Sequence, residues 1–135
     1  MNTKVLMISS SMLMAVCGIL FQFVPHEVLN IFNVSSNGIV PLLVQMIGAM
    51  YLGFAMMNWM AKSILIGGIY ARPLAMGNLL HFTIGALALL KFAFSVPTLL
   101  NIWIAAIIYS ILAILFGIVL FTHPQRSNVA TEKQK

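Results

Sequence analysis

A chain of 135 residues is one domain's worth, but 61% of it is hydrophobic and only 7% is charged, against about half and about a quarter in soluble domains. Such a composition cannot clothe a water-soluble surface, and its apolar residues come in runs approaching the roughly 20 needed to cross a bilayer. The net charge of +5 does not mark a nucleic-acid binder, because no soluble segment carries a basic patch with interleaved aromatics. An all-α polytopic membrane protein is expected, a bundle of four transmembrane helices.

The first predicted span runs from about residue 4 to 24 and stops at Pro25-His26-Glu27. An alternative makes the start a signal peptide with Cys17 as a lipidated residue. Val16 precedes that cysteine and "GILFQFV" extends the apolar run beyond it, so no small-residue cleavage site is present and a span is expected. "PHEVLNIFNVSSNG" follows, alternating apolar and polar residues as a short amphipathic surface turn would.

The second span, about 39–61, starts after Ser35-Ser36-Asn37-Gly38. The loop "KSILIGGIYARP" comes next, apolar for a loop, with Tyr70 and Arg72 as candidate headgroup anchors. Pro73 opens the third span, about 73–94, since proline suits the first helical position. The fourth, about 98–121, closes before His123-Pro124. A membrane domain over 1–122 and a polar cytoplasmic tail over 123–135 result.

Orientation follows from the basic residues. Lys4, Lys62, Arg72, Arg126, Lys133 and Lys135 share one side of a four-span layout, and Lys91 alone lies on the other. The bias places both termini in the cytoplasm, with the bacterial inner membrane as the expected location. Trp59 and Trp103 fall near span ends, where amphipathic rings settle.

No Asp, Glu, Lys or Arg stands in the middle of a span. Ion-coupled transport usually needs such a group, and hydrolysis needs an acid–base pair. His26, His81 and His123 fall at three depths, so they do not converge on a metal or haem, and one cysteine builds neither a disulfide nor a metal site. No catalytic residue, cofactor or metal is expected. The ten methionines are scattered rather than set in a copper-handling repeat, as adaptable packing residues would be. At the outer side Glu27 and Lys91 are candidates for an interfacial pair, with snorkelling of Lys91 as the alternative.

What remains is a belt of uncharged polar residues. At 1.5 Å per residue, Ser9, Ser10 and Ser11, Asn58 and Asn78 fall in the cytoplasmic half, with His81 level with Tyr109 and Ser110 nearer the centre. Gln22, Gln45 and Asn101 lie towards the outer face. The belt is either interhelical glue or a small pocket for a polar or amphipathic ligand, lined by Asn58, Asn78, His81, Tyr109 and Ser110. Small residues at helical spacing favour glue. They are Gly77, His81 and Gly85 with Asn78 and Ala88 beside them, Ala49 and Gly53, and Ala106, Ser110, Ala113 and Gly117. His81 is expected to donate to Asn78, Tyr109 or a backbone carbonyl. Its rival roles are proton relay and the acid or base of a lipid- or quinone-directed enzyme.

"QMIGAMYLGFAMMNW", residues 45–59, resembles the second helix of small bacterial four-helix membrane proteins in the DoxX-like grouping, where a Gly-Ala step is followed by Leu-Gly. The matching positions are Gly48, Ala49, Leu52 and Gly53. The resemblance implies the four-helix architecture. Some members are associated with redox or sulfur metabolism, whereas this chain has one cysteine and no charge at mid-span. The expected role is that of a structural or partner-binding membrane subunit, in contact with the lipid bilayer and either a homo-oligomer or part of a larger membrane complex. The alternative is a binder or facilitator of a small or lipid-like molecule through the polar pocket.

Overall fold

A computed structural model describes residues 3–63 and 71–122. The loop with Gly67-Gly68 and Tyr70 and the polar tail from His123 onward lie outside the described residues, so the anchoring role expected of Tyr70 is not addressed by it. The described residues form five α-helices: α1 Thr3–Phe23, α2 Pro25–Ile31, α3 Val40–Ala61, α4 Ala71–Ser95 and α5 Leu100–Thr122. The four long helices are each apolar enough to cross a membrane, and their ends lie within two residues of the hydropathy-based spans. The chain is an all-α four-helix bundle and a membrane protein.

Local chemistry sets the boundaries. Pro25 and Pro41 stand in the first turns of α2 and α3, where the leading N–H groups have no intrahelical partner and proline loses nothing. Pro73 is the third residue of α4, also in its first turn, so that helix starts two residues before the proline rather than at it. The amphipathic turn expected after the first span is a real helix. It ends in a Schellman motif: Val34 N–H donates to Leu29 O at 3.0 Å and Asn33 N–H to Asn30 O at 3.0 Å. Asn33 takes the left-handed conformation this motif needs, with φ 55°.

The long helices pair as two antiparallel hairpins. α1 lies along α3 and α4 along α5, while the hairpins touch each other far more sparingly. In α1 the buried positions Leu6, Met7, Ser10, Ser11, Met14 and Gly18 recur at three- and four-residue steps, a single face. Gly18 and Gly48 let α1 and α3 approach backbone to backbone. A Cβ on Gly48 would sit 3.0 Å from Gly18 O and 2.8 Å from Gln22 N. One turn further on, Gln45 Nε2 donates to Gln22 O at 3.2 Å.

This contact corrects the stripe expected for the second span. Ala49 is exposed, and a Cβ on Gly53 would meet nothing within 4 Å. Gly48, 100° around the helix from Ala49, is the residue that packs. Ala88 is likewise exposed, whereas Ala106 is fully buried. Phe82 and Phe116, both fully buried and stacked at 5.7 Å between centroids, anchor the α4–α5 core. Polar ends complete the picture. Lys62 Nζ lies 3.3 Å over the Trp59 ring, and Trp103 packs edge-on against Phe94. Glu27 and Lys91 are both exposed, and no ion pair joins them.

Candidate functional site

The belt's centre is an amide pair. Asn58 comes from the last turn of α3 and Asn78 from the second turn of α4, on opposite hairpins, and both are fully buried. Asn58 Nδ2 donates to Asn78 Oδ1 at 2.8 Å, and Asn78 Nδ2 donates back to Asn58 Oδ1 at 2.7 Å. The remaining donors are also taken. Asn78 Nδ2 reaches Leu74 O at 2.9 Å, and Asn58 Nδ2 reaches Ser10 Oγ of α1 at 3.2 Å, with Met14 Sδ at 3.7 Å. Ser10 in turn donates to Met7 O at 3.1 Å, and Ser11 ties α1 to α3 through Ala55 O at 2.7 Å. Three helices share one closed network with no ionisable member. Its chemistry is cohesion: two buried amides whose N–H groups are all engaged have no free donor with which to orient a substrate.

One turn deeper lies an aromatic cluster. His81 is surrounded by Tyr51 and Phe54 of α3, Phe82 of its own helix and Tyr109 of α5, with ring centroids at 5.3, 5.3, 5.2 and 5.7 Å. Phe54 stacks on the imidazole at 30°, and Tyr51 meets it edge-on at 83°. The Tyr51 and Tyr109 hydroxyls hydrogen-bond to each other across the hairpins. Gly85 makes room for this arrangement, since a Cβ there would stand 2.6 Å from Tyr109 Cε1.

His81 departs from expectation. Its Nε2 is buried and has no hydrogen-bond partner among the described residues. It bonds neither to Asn78, which pairs with Asn58, nor to the Tyr109 hydroxyl, which pairs with Tyr51, nor to a backbone carbonyl. Ser110 stands apart as well, its Oγ bonded to Ala106 O of its own helix at 2.7 Å. The five residues read as a possible pocket therefore separate into a saturated amide pair, an aromatic pair of His81 and Tyr109, and a self-satisfied serine.

Sequence reasoning missed Tyr51 and Phe54. The signal was available: Tyr51, Phe54 and Asn58 are spaced three and four apart, which puts them on the helix face already marked by Asn58. It also missed a cavity of about 300 Å³ at the opposite end of the bundle, between α2 and the neighbouring ends of the long helices, lined by apolar side chains alone. Among the described residues no group of three or more His, Cys, Asp or Glu side chains could hold a metal ion. No protein-family model, curated protein or solved structure matches this chain.

Proposed function

We propose that this protein is a non-catalytic subunit of a membrane assembly, with a structural or partner-binding role, built on the DoxX-like architecture that residues 45–59 resemble. The observation that carries the reading is the closed Asn58–Asn78–Ser10 network. Polar groups inside a membrane are either functional or cohesive, and here the amides use their donors on one another. The basic residues on one side of the four spans support both termini in the cytoplasm of a bacterial cell.

A second reading, a binder of a small polar or amphipathic molecule, rests on the unpartnered His81 Nε2 within its ring of aromatics. Native mass spectrometry of the wild type beside His81→Ala separates the two. The structural reading expects a homo-oligomer or a stoichiometric complex with no adduct that depends on His81. A defined small-molecule mass carried by the wild type and lost in His81→Ala would overturn it in favour of the second.

A further inference from the structure

The cavity at the α2 end has a distinctive construction. α2 roofs it with Val28 and Leu29, both buried, and the Schellman turn folds Val34 back beside Leu29 to complete that roof. Ile102 of α5 forms a buried wall. Ile47 of α3 and Phe92 of α4 also line it, but they are 45% and 49% exposed, and Val34 at the adjoining edge of the roof is 45% exposed. The mouth therefore lies between α3 and α4, where the two hairpins are in sparse contact.

Depth identifies what the mouth faces. Ile47 is seven residues into α3 and Phe92 three residues from the end of α4, so the opening lies roughly 5–10 Å below the helix ends at 1.5 Å per residue. α3, with 22 residues, is about 33 Å long, so in a spanning bundle that depth lies just inside the ~30 Å hydrocarbon core, among the upper carbons of the acyl chains. The exposed residues around the roof, His26, Glu27 and Asn30 on α2, are polar, as the headgroup level favours.

We propose that this cavity is a lipid site, holding one acyl chain of a membrane phospholipid that enters sideways between α3 and α4. Water is a poor occupant, because a buried water needs two to four polar partners and the lining offers none. A polar metabolite fails for the same reason. An empty cavity leaves its lining without dispersion contacts on one side. A hydrocarbon chain restores them with no desolvation penalty, since it comes from hydrocarbon. The volume of about 300 Å³ falls at the lower end of the range for pockets that bury a ligand, enough for part of one chain. The lipid wedges the hairpins apart at one end while the amide pair clasps them at the other.

The test uses the full chain reconstituted in vesicles of palmitoyl-oleoyl phosphatidylethanolamine and phosphatidylglycerol, extracted in mild detergent and analysed by native mass spectrometry. One phospholipid per chain should survive activation that strips the rest. Ile47→Trp, which fills the mouth, should lower that retention roughly tenfold, the change that about 1.4 kcal/mol of lost binding produces. Leu87→Trp, on an exposed stretch of α4 away from the cavity, should retain the lipid as the wild type does, and so should His81→Ala, which keeps this site distinct from any ligand at the imidazole. If Ile47→Trp does not fold, a diazirine-bearing acyl chain in wild-type protein gives the answer, by crosslinking to the α2 peptide that contains Val28 and Leu29. Bare wild-type protein, a fatty-acid mass in place of a phospholipid, undiminished retention in a folded Ile47→Trp, or no crosslink to α2 would each overturn the proposal.

Discussion

Asn58 and Asn78 hold each other through two reciprocal hydrogen bonds of 2.8 and 2.7 Å, and they do so across the boundary between the two hairpins. The backbones of the two hairpins come close at few places, so this pair, together with the Tyr51–Tyr109 hydroxyl bond, has leverage on how the hairpins dock. In water such a bond would compete with solvent. In hydrocarbon the separated amides have few alternatives, although measured values for interhelical bonds remain near 0.6–2 kcal/mol.

Replacing either asparagine by leucine keeps the volume but strands the partner's amide. Asn58→Leu or Asn78→Leu should each destabilise the bundle by about 1–3 kcal/mol, the cost of an unsatisfied buried polar group. The double Leu variant should lose less than the sum of the singles, because no orphan is left behind. Unfolding by graded denaturing detergent in mixed micelles measures the cycle. Strict additivity would mean that the pair is not coupled in the membrane.

The glycines of α3 should respond with opposite signs to the same substitution. Gly48→Ala drives a methyl group to within 2.8 Å of Gln22 N and 3.0 Å of Gly18 O. Backbone atoms cannot step aside as a side chain does, and the shift should cost on the order of 1–3 kcal/mol. Gly53→Ala meets nothing within 4 Å and should be neutral or stabilising by up to about 1 kcal/mol, the helix-propensity gain of alanine over glycine. Paired detergent melts of the two variants check the contrast. Equal effects at both positions would contradict the α1–α3 packing.

That contrast also shows where the sequence was legible. Depth needed only a rise per residue, and it brought Asn58 to the level of Asn78, where the two do meet. Azimuth was harder. A helix that is apolar all round carries no amphipathic signal for its buried face, and one residue's error in register turns a stripe by 100°. Hence the spacing of Ala49 and Gly53 points to a packing stripe, whereas Gly48, the neighbour of Ala49, makes the contact. The cavity was hidden for another reason. It exists only because α2 folds over the ends of helices that are distant in sequence, and Leu29 and Leu99 look like any other apolar residues in a membrane chain.

His81 offers a test in which the structural and ligand-binding readings diverge. Its Nε2 has no partner among the described residues, and four aromatic rings surround the imidazole. His81→Phe keeps a planar ring in that cluster while removing the unpaired atom. The variant should be as stable as the wild type, or more stable by about 1 kcal/mol, since an unsatisfied buried polar atom is unfavourable. Thermal unfolding in detergent reads the effect. A clear loss of stability would show that the imidazole has a partner in the membrane, and would favour the ligand reading.

The topology proposal can be checked with single cysteines in a Cys17→Ala background. Asn37 and Ser63 are both exposed and lie at opposite ends of α3, Asn37 before it and Ser63 just after it. Ser63 is next to Lys62, one of the six basic residues on the side assigned to the cytoplasm. A membrane-impermeant maleimide added to intact cells should therefore label Asn37→Cys and leave Ser63→Cys unmodified until the membrane is permeabilised. The reverse pattern would invert the protein in the bilayer. It would place the α2 roof, and the lipid site beneath it, at the cytoplasmic leaflet instead of the outer one.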